Sequence, residues 1–248
     1  MLQRLSGDSL PASCPFTFGD VPSTHKFLRH ICWLSQADIT SAGSGDNFAP
    51  DRNTTRGEMA IFLYRLNYWR FSDVGMVDNG YEAVAWMQRE GITTIPEGGK
   101  FGGENSIKKE ALAAFLYRAA GKPAFTPPAN SPFPDLEPGD DFYKEITWAH
   151  SRGIFKGTSE GMFDPEGTLT RASVALVLRR YTGQAAIDNC PITFDDVKAS
   201  TDQASSICWL AVKKITTVAA GGNFNPTKTA TRLDVAKWLY RMNQKSLL

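Results

Sequence analysis

Four cations occupy the same unusual place in this chain. In TTRGEMAIFLYR (54–65), Thr55 and Glu58 have the spacing of a capping box, in which each side chain meets a free backbone N–H of the first helical turn. Arg56 then falls at the first helical position, where the helix dipole favours anions. Arg171 and Arg232 also follow a threonine at the start of an apolar run, and Lys109 follows a lysine. Two chemistries suit such a residue. With the outward-pointing first-turn N–H groups it completes an anion site. Alternatively it pairs with a carboxylate, worth about 0–1 kcal/mol at a surface. Carboxylates are available at Asp20, Asp73, Asp135 and Asp196, each two residues after a phenylalanine in FGDV, FSDV, FPDL and FDDV. The residues leave both readings open.

Cys14 and Cys32 stand 18 positions apart, and so do Cys190 and Cys208. Four cysteines allow three pairings. The repeat symmetry described below favours Cys14–Cys32 and Cys190–Cys208, and disulfides imply an oxidising place outside the cell. A structural zinc site is the rival, but it lacks the close Cys-x₂₋₄-Cys spacing, and no metal is expected. The three histidines, His25, His30 and His150, do not form a His-Glu-x-x-His motif, and Gly-x-Ser-x-Gly and P-loop patterns are missing. The acidic loop GSGDNFAPDRN does not match an EF-hand and reads as solvated. No catalysis and no cofactor are expected. A formal net charge of +1 excludes a broad nucleic-acid footprint. No apolar run reaches the ~20 residues of a membrane span, so no membrane insertion is expected. MLQRLSGDSLPASC has no apolar core of signal-peptide length, so export information is expected outside this chain or by another route.

The elements that position these residues form a repeat. Counted from Phe18, Phe71, Phe133 and Phe194, tryptophan stands at +15 (Trp33, Trp86, Trp148, Trp209) and isoleucine at +21 (Ile39, Ile92, Ile154, Ile215). Phenylalanine recurs at +30 (Phe48, Phe101, Phe163, Phe224), the cation at +38, and arginine at +47 (Arg65, Arg118, Arg180, Arg241). No gap is needed inside any unit. The reading gives repeats at 14–66, 67–122, 129–182 and 190–244, joined by segments of varying length. Each repeat predicts a helix, a long loop and a second helix. Gly91 and Gly153 supply left-handed stops for the first helix, where repeats 1 and 4 have Asp38 and Lys214. The second helix carries an apolar stripe: Met59, Ala60, Phe62, Leu63 and Leu66 in repeat 1. One helix pair cannot bury both stripes alone, so the repeats must pack on one another. Phe-x-Pro ahead of Thr-Arg pins and stiffens the loop. Repeat 2 departs with FGGENSIKK, losing proline, threonine cap and arginine together. The +47 arginines suit a helix C-terminus, and the tryptophans suit core or inter-repeat packing, with sugar stacking as the alternative.

FSDV, YEAVAWMQREGIT, FDPEGTLTRAS and TTRGEMAIFLYR together resemble the S-layer homology (SLH) domain, closest in spelling to modules of Gram-positive surface proteins. The resemblance spans roughly residues 15–248 and implies an all-α fold of tandem helix-loop-helix repeats in a pseudo-symmetric bundle. In the family, three units form a pseudo-threefold spindle with grooves between neighbours. The family implies non-covalent anchoring of exported proteins to cell-wall polysaccharide, often bearing anionic pyruvyl groups. Carried over by position, the ligand-binding residues are Arg56, Arg171, Arg232 and Lys109 with Asp20, Asp73, Asp135 and Asp196. Trp33, Trp86, Trp148 and Trp209 are added as sugar platforms. Four repeats stand where the family has three, so either one caps a three-unit spindle or the symmetry differs. The expected protein lies at the cell surface and is fused to or accompanies another surface domain. A protein–protein assembly or adhesion module on the same fold is the alternative function.

Overall fold

The computed structural model describes residues 10–248 apart from 38, 43–44, 67–70, 76–77, 97, 188 and 199–201; the side chains of 64–66 and 202 are also outside the described set. Asp38 and the Arg65 and Leu66 side chains therefore lie outside the described residues. Eight helices occur among the described residues, two per repeat. They are α1 (Leu28–Gln36) and α2 (Arg56–Leu66), α3 (Tyr81–Arg89) and α4 (Lys109–Ala119), α5 (Tyr143–Ser151) and α6 (Arg171–Tyr181), and α7 (Asp202–Val212) and α8 (Arg232–Asn243). Isolated β-bridges, not a sheet, join the loops among the described residues. The architecture is an all-α repeat.

Local chemistry starts and stops these helices as the spacing predicts. Thr55 N donates to Glu58 Oε2 at 2.8 Å, and Glu58 N donates to Thr55 Oγ1 at 3.1 Å. Thr231 and Asp234 build the same capping box on α8, and Thr170 accepts from Ser173 N on α6. Lys108 precedes α4 without a side-chain cap. Gly91 and Gly153 end α3 and α5 at φ of 64° and 68°. Lys214 takes the same left-handed turn at 54°, a costlier conformation for a residue with a Cβ.

The chain divides into two compact units, Met1–Trp69 and Arg70–Leu248. In the first, Trp33, Ala37 and Ile39 form one small core with Leu34, Met59 and Phe62. Phe18, Val21, Ile31 and Cys32 form another with Phe16 and Phe48. Cys14 is bonded to Cys32, with Cα atoms 5.6 Å apart. The matching bridge in repeat 4, Cys190–Cys208, spans 5.7 Å. All four thiols are thus joined in the pairing that the repeat symmetry predicts.

The second unit is a closed ring of repeats 2, 3 and 4. Each second helix packs on the first helix of the next repeat: α4 on α5, α6 on α7, and α8 back on α3. At the centre the three +36 residues exchange backbone hydrogen bonds in a triangle. Ile107 N donates to Ala230 O, Ala230 N to Leu169 O, and Leu169 N to Ile107 O, at 2.9, 2.8 and 3.3 Å. These residues are buried. The ring has three members, and repeat 1 forms a unit of its own.

Candidate functional site: the cation at each repeat joint

The +38 cations of the ring lie at its three joints, and each reaches into the next repeat. Arg171 Nε donates to Phe224 O at 2.9 Å, Arg232 Nε to Phe101 O at 2.9 Å, and Lys109 Nζ to Phe163 O at 3.1 Å. The acceptor is always the +30 carbonyl. The first-turn N–H groups follow the side chain. Lys109 N donates to Gly167 O, Arg171 N to Lys228 O and Arg232 N to Asn105 O, each at 2.9 Å. Glu110 N, Ala172 N and Leu233 N donate to Pro165 O, Pro226 O and Gly103 O. The helix N-termini thus meet a neighbour's carbonyl oxygens, which answers both the orphan donors and the misplaced cation.

The three joints share this frame but differ in how the charge is met. The Arg171 guanidinium lies 4.9 Å from the Phe224 ring centre and 5.0 Å from that of Trp238, and pairs with Asp234 at 2.7 Å. Lys109 pairs with Asp164 at 3.0 Å, with Val177 where repeat 4 has Trp238. Lysine at repeat 2 therefore still makes a joint, despite the lost cap, proline and arginine. Arg232 lies 5.0 Å from the Phe101 ring centre and 5.2 Å from that of Phe115. Ala111 stands at the place that Asp234 fills beside Arg171. Among the described residues Arg232 has no ion pair, and its two terminal nitrogens have no hydrogen-bond partner. Burial lowers its pKa, and the charge of Asp73 acts in the opposite direction.

The Phe-x-Asp aspartates do something else. Asp20 accepts from the N–H groups of Phe48 and Ala49, Asp73 from Phe101 and Gly102, Asp135 from Phe163 and Asp164, and Asp196 from Phe224 and Asn225. All eight distances lie between 2.6 and 2.8 Å. In Asp135, burial pushes the carboxyl up, but the donated N–H groups outweigh it and hold the pKa below the ordinary value. Pairing with the +38 cation, the simpler expectation from sequence, is not what these carboxylates do. They clamp the loop of their own repeat and so fix the +30 carbonyl that the cation of the preceding repeat reaches.

The clamp needs a left-handed residue at +31, which the sequence reading passed over. Ala49, Gly102, Asp164 and Asn225 have φ of 54°, 67°, 60° and 57°. Gly, Asp and Asn at three of the four positions were the available signal. The four tryptophans are at most 5% exposed, so their faces are covered. Trp86 packs against Tyr240 and Trp148 against Tyr117 across joints, Trp209 Nε1 donates to Gln184 Oε1, and Trp33 lies in the core of repeat 1. Arg118 and Arg241 at +47 donate to the +21 carbonyls of Ile92 and Ile215, beyond any dipole effect.

Repeat 1, a compact unit of its own, carries the same parts. The Arg56 side chain is exposed and makes no ion pair or hydrogen bond among the described residues. Phe48, Phe62 and Glu58 stand where repeat 4 has Phe224, Trp238 and Asp234. They line an open cleft of about 570 Å³ with Asp46, Arg52 and Ile61.

The S-layer homology domain model matches residues 17–60, 70–113, 132–175 and 193–236, one match per repeat. Similar proteins include a cellulosome-anchoring protein of Acetivibrio thermocellus, 29% identical over 112 residues, covering 44% of this chain and 25% of the relative. An S-layer protein of Bacillus licheniformis is 22% identical over 181 residues, covering 71% of this chain and 20% of the relative. An endoglucanase of Bacillus sp. strain KSM-635 is 24% identical over 172 residues, covering 66% and 18%. The matched part spans a quarter or less of each relative's length.

Proposed function

This chain belongs to the S-layer homology family, and we propose that it is a non-catalytic module anchoring a bacterial surface protein to the cell wall. The ligand in this reading is an anionic secondary cell-wall polysaccharide, with a carboxylate such as a pyruvyl substituent bound at a joint between repeats. Names among the relatives, an anchoring protein and an S-layer protein, support the anchoring role. Relatives much longer than the matched part support a further surface domain alongside this one. Among the described residues no helix is long and apolar enough to cross a membrane.

The observation that carries the glycan reading is the difference among the three cations of the ring. Asp234 neutralises Arg171 and Asp164 neutralises Lys109, but Arg232 keeps a guanidinium face without an ion-pair partner among the described residues. A partly desolvated guanidinium offers a planar fork suited to a carboxylate. Asp73 orients the site by fixing the Phe101 carbonyl that holds Arg232 Nε. Several such weak contacts along a polymer gain from effective concentration.

The test is co-sedimentation with purified cell walls before and after the secondary polysaccharide is stripped. Arg232→Lys is the informative variant, because lysine already serves the equivalent joint at Lys109 and the ring should stay folded. Replacing the fork by a point charge is expected to weaken binding about tenfold. Equal sedimentation with stripped walls would remove the polysaccharide as ligand. Undiminished binding by Arg232→Lys and by Arg232→Gln would move the site away from this joint.

A further inference from the structure

We infer that repeat 1 is an assembly element: three copies of this chain join through their first repeats, closing a second ring between molecules. The ring of repeats 2–4 shows what a joint requires. A plug, the +38 cation, enters a socket formed by the +30 and +44 side chains, the +30 carbonyl and, at one joint, an acid at +40. Arg171 lying against Phe224 and Trp238 beside Asp234 is the fullest case.

Repeat 1 holds both halves. Arg56 is the plug, exposed and without an ion-pair partner among the described residues. The cleft lined by Phe48, Phe62 and Glu58 is the socket. The match is specific in type. The two sockets of the ring with aromatic side chains at +30 and +44 take arginine, and the one with Val177 at +44 takes lysine. The repeat 1 socket has two phenylalanines and an acid, and its plug is arginine. Arg52 of its own repeat already pairs with Glu58, so the two phenylalanine rings receive the incoming Arg56, as Phe101 and Phe115 receive Arg232 where no acid stands at +40.

The apolar surface agrees. Ala113, Ala175 and Ala236 at +42 are 0% exposed in the ring, and Ala60 at the same place is exposed. Ile61 beside it is 49% exposed. The three joints among repeats 2–4 are all filled by one another, since α8 returns to α3. A plug and socket on different faces of one unit make a heterologous contact, which forms a ring when the rotation closes. The rotation per joint in repeats 2–4 closes after three members, so the same joint between copies also closes at three.

Sedimentation velocity on the full chain without glycan tests this. The expected species has about 82 kDa, three times 27.3 kDa, at roughly 100 μM protein. Arg56→Glu is expected to weaken association at least tenfold and to return the chain to 27.3 kDa. A glutamate at the first helical position suits the dipole, so loss of folding would not account for that result, and unchanged far-UV circular dichroism checks it. Arg56→Lys is expected to retain part of the association. A wild-type chain that stays at 27.3 kDa, a closed dimer or tetramer, or an Arg56→Glu variant that still trimerises would each overturn the inference.

Discussion

Repeat 1 and the three repeats of the ring are built from the same residues at the same spacing, yet they bury different parts. Leu116, Leu178 and Leu239 at +45 are 0% exposed, and Leu63 is 38% exposed. Met59 is half-buried where Leu112, Val174 and Val235 are 0% exposed. What is constant is the clamp inside each repeat, Phe-x-Asp onto the loop at +30 and +31. What differs is the joint. The comparison separates two layers of stabilisation: one local to a repeat and present four times, the other created only by neighbours.

The largest expected effect falls on the disulfides. Replacing Cys14 and Cys32 by serine removes a cross-link worth about 3 kcal/mol for a loop of this size. In a unit of roughly 60 residues with two small cores, that is most of the margin. Repeat 1 should lose its amide dispersion by NMR while the ring keeps its own. The same change at Cys190 and Cys208 should lower the melting temperature of the ring by about 6–12 °C and leave it folded. Equal loss of both units in calorimetry would erase the distinction.

Next come the cations. Arg171→Ala strips a partly buried charge pair, a bond to Phe224 O and two ring contacts, and should cost the ring about 2 kcal/mol. Arg56→Ala, measured where the chain is dilute, should change stability by less than about 0.5 kcal/mol. Denaturant melts of the two variants give the comparison directly, and similar losses would mean that Arg56 has a partner within its own molecule.

The smallest effect is electrostatic and opposite in sign in the two units. A hydrogen bond from Arg52, then the backbone and side chain of Thr55, hold the Glu58 carboxyl at about 2. Its contribution is present above the ordinary value of 4.5 and is lost as pH falls toward 2. In α4, burial and then the charge of Glu166 push the Glu110 carboxyl up. Glu110 therefore favours the folded ring as pH falls through its raised value and opposes it as pH rises. Carboxyl-carbon titration by NMR should show Glu58 below and Glu110 above the ordinary range; coincident midpoints would remove this contrast.

Much of the fold was legible because its signals are local. The period, the Thr55–Glu58 start, the threonines ahead of Arg171 and Arg232, the glycine stops and the symmetric cysteines each depend on residues close in sequence or on exact repetition. Lys214 shows the limit: its side chain predicts a softer boundary, but the turn is the same left-handed one, held by Ile215 N on Leu210 O. The destination of Asp73 and Arg232 was not legible. Opposite charges recurring together suggest a pair, whereas each in fact binds backbone, Asp73 the N–H groups of its own loop and Arg232 the Phe101 carbonyl.

The sequence by itself determined the repeat, the all-α character, the disulfide pairing and the recurrence of a cation at a helix start. These follow from side-chain type and spacing, which a sequence records. Only the tertiary structure decided that the ring closes at three, that Arg171 is paired with Asp234 while Arg232 has no ion pair among the described residues, and that the Arg56 side chain is exposed. Those outcomes depend on which carbonyl oxygen faces which helix terminus. Every residue carries the same carbonyl, so its role comes from the geometry of packing and is not written in any side chain.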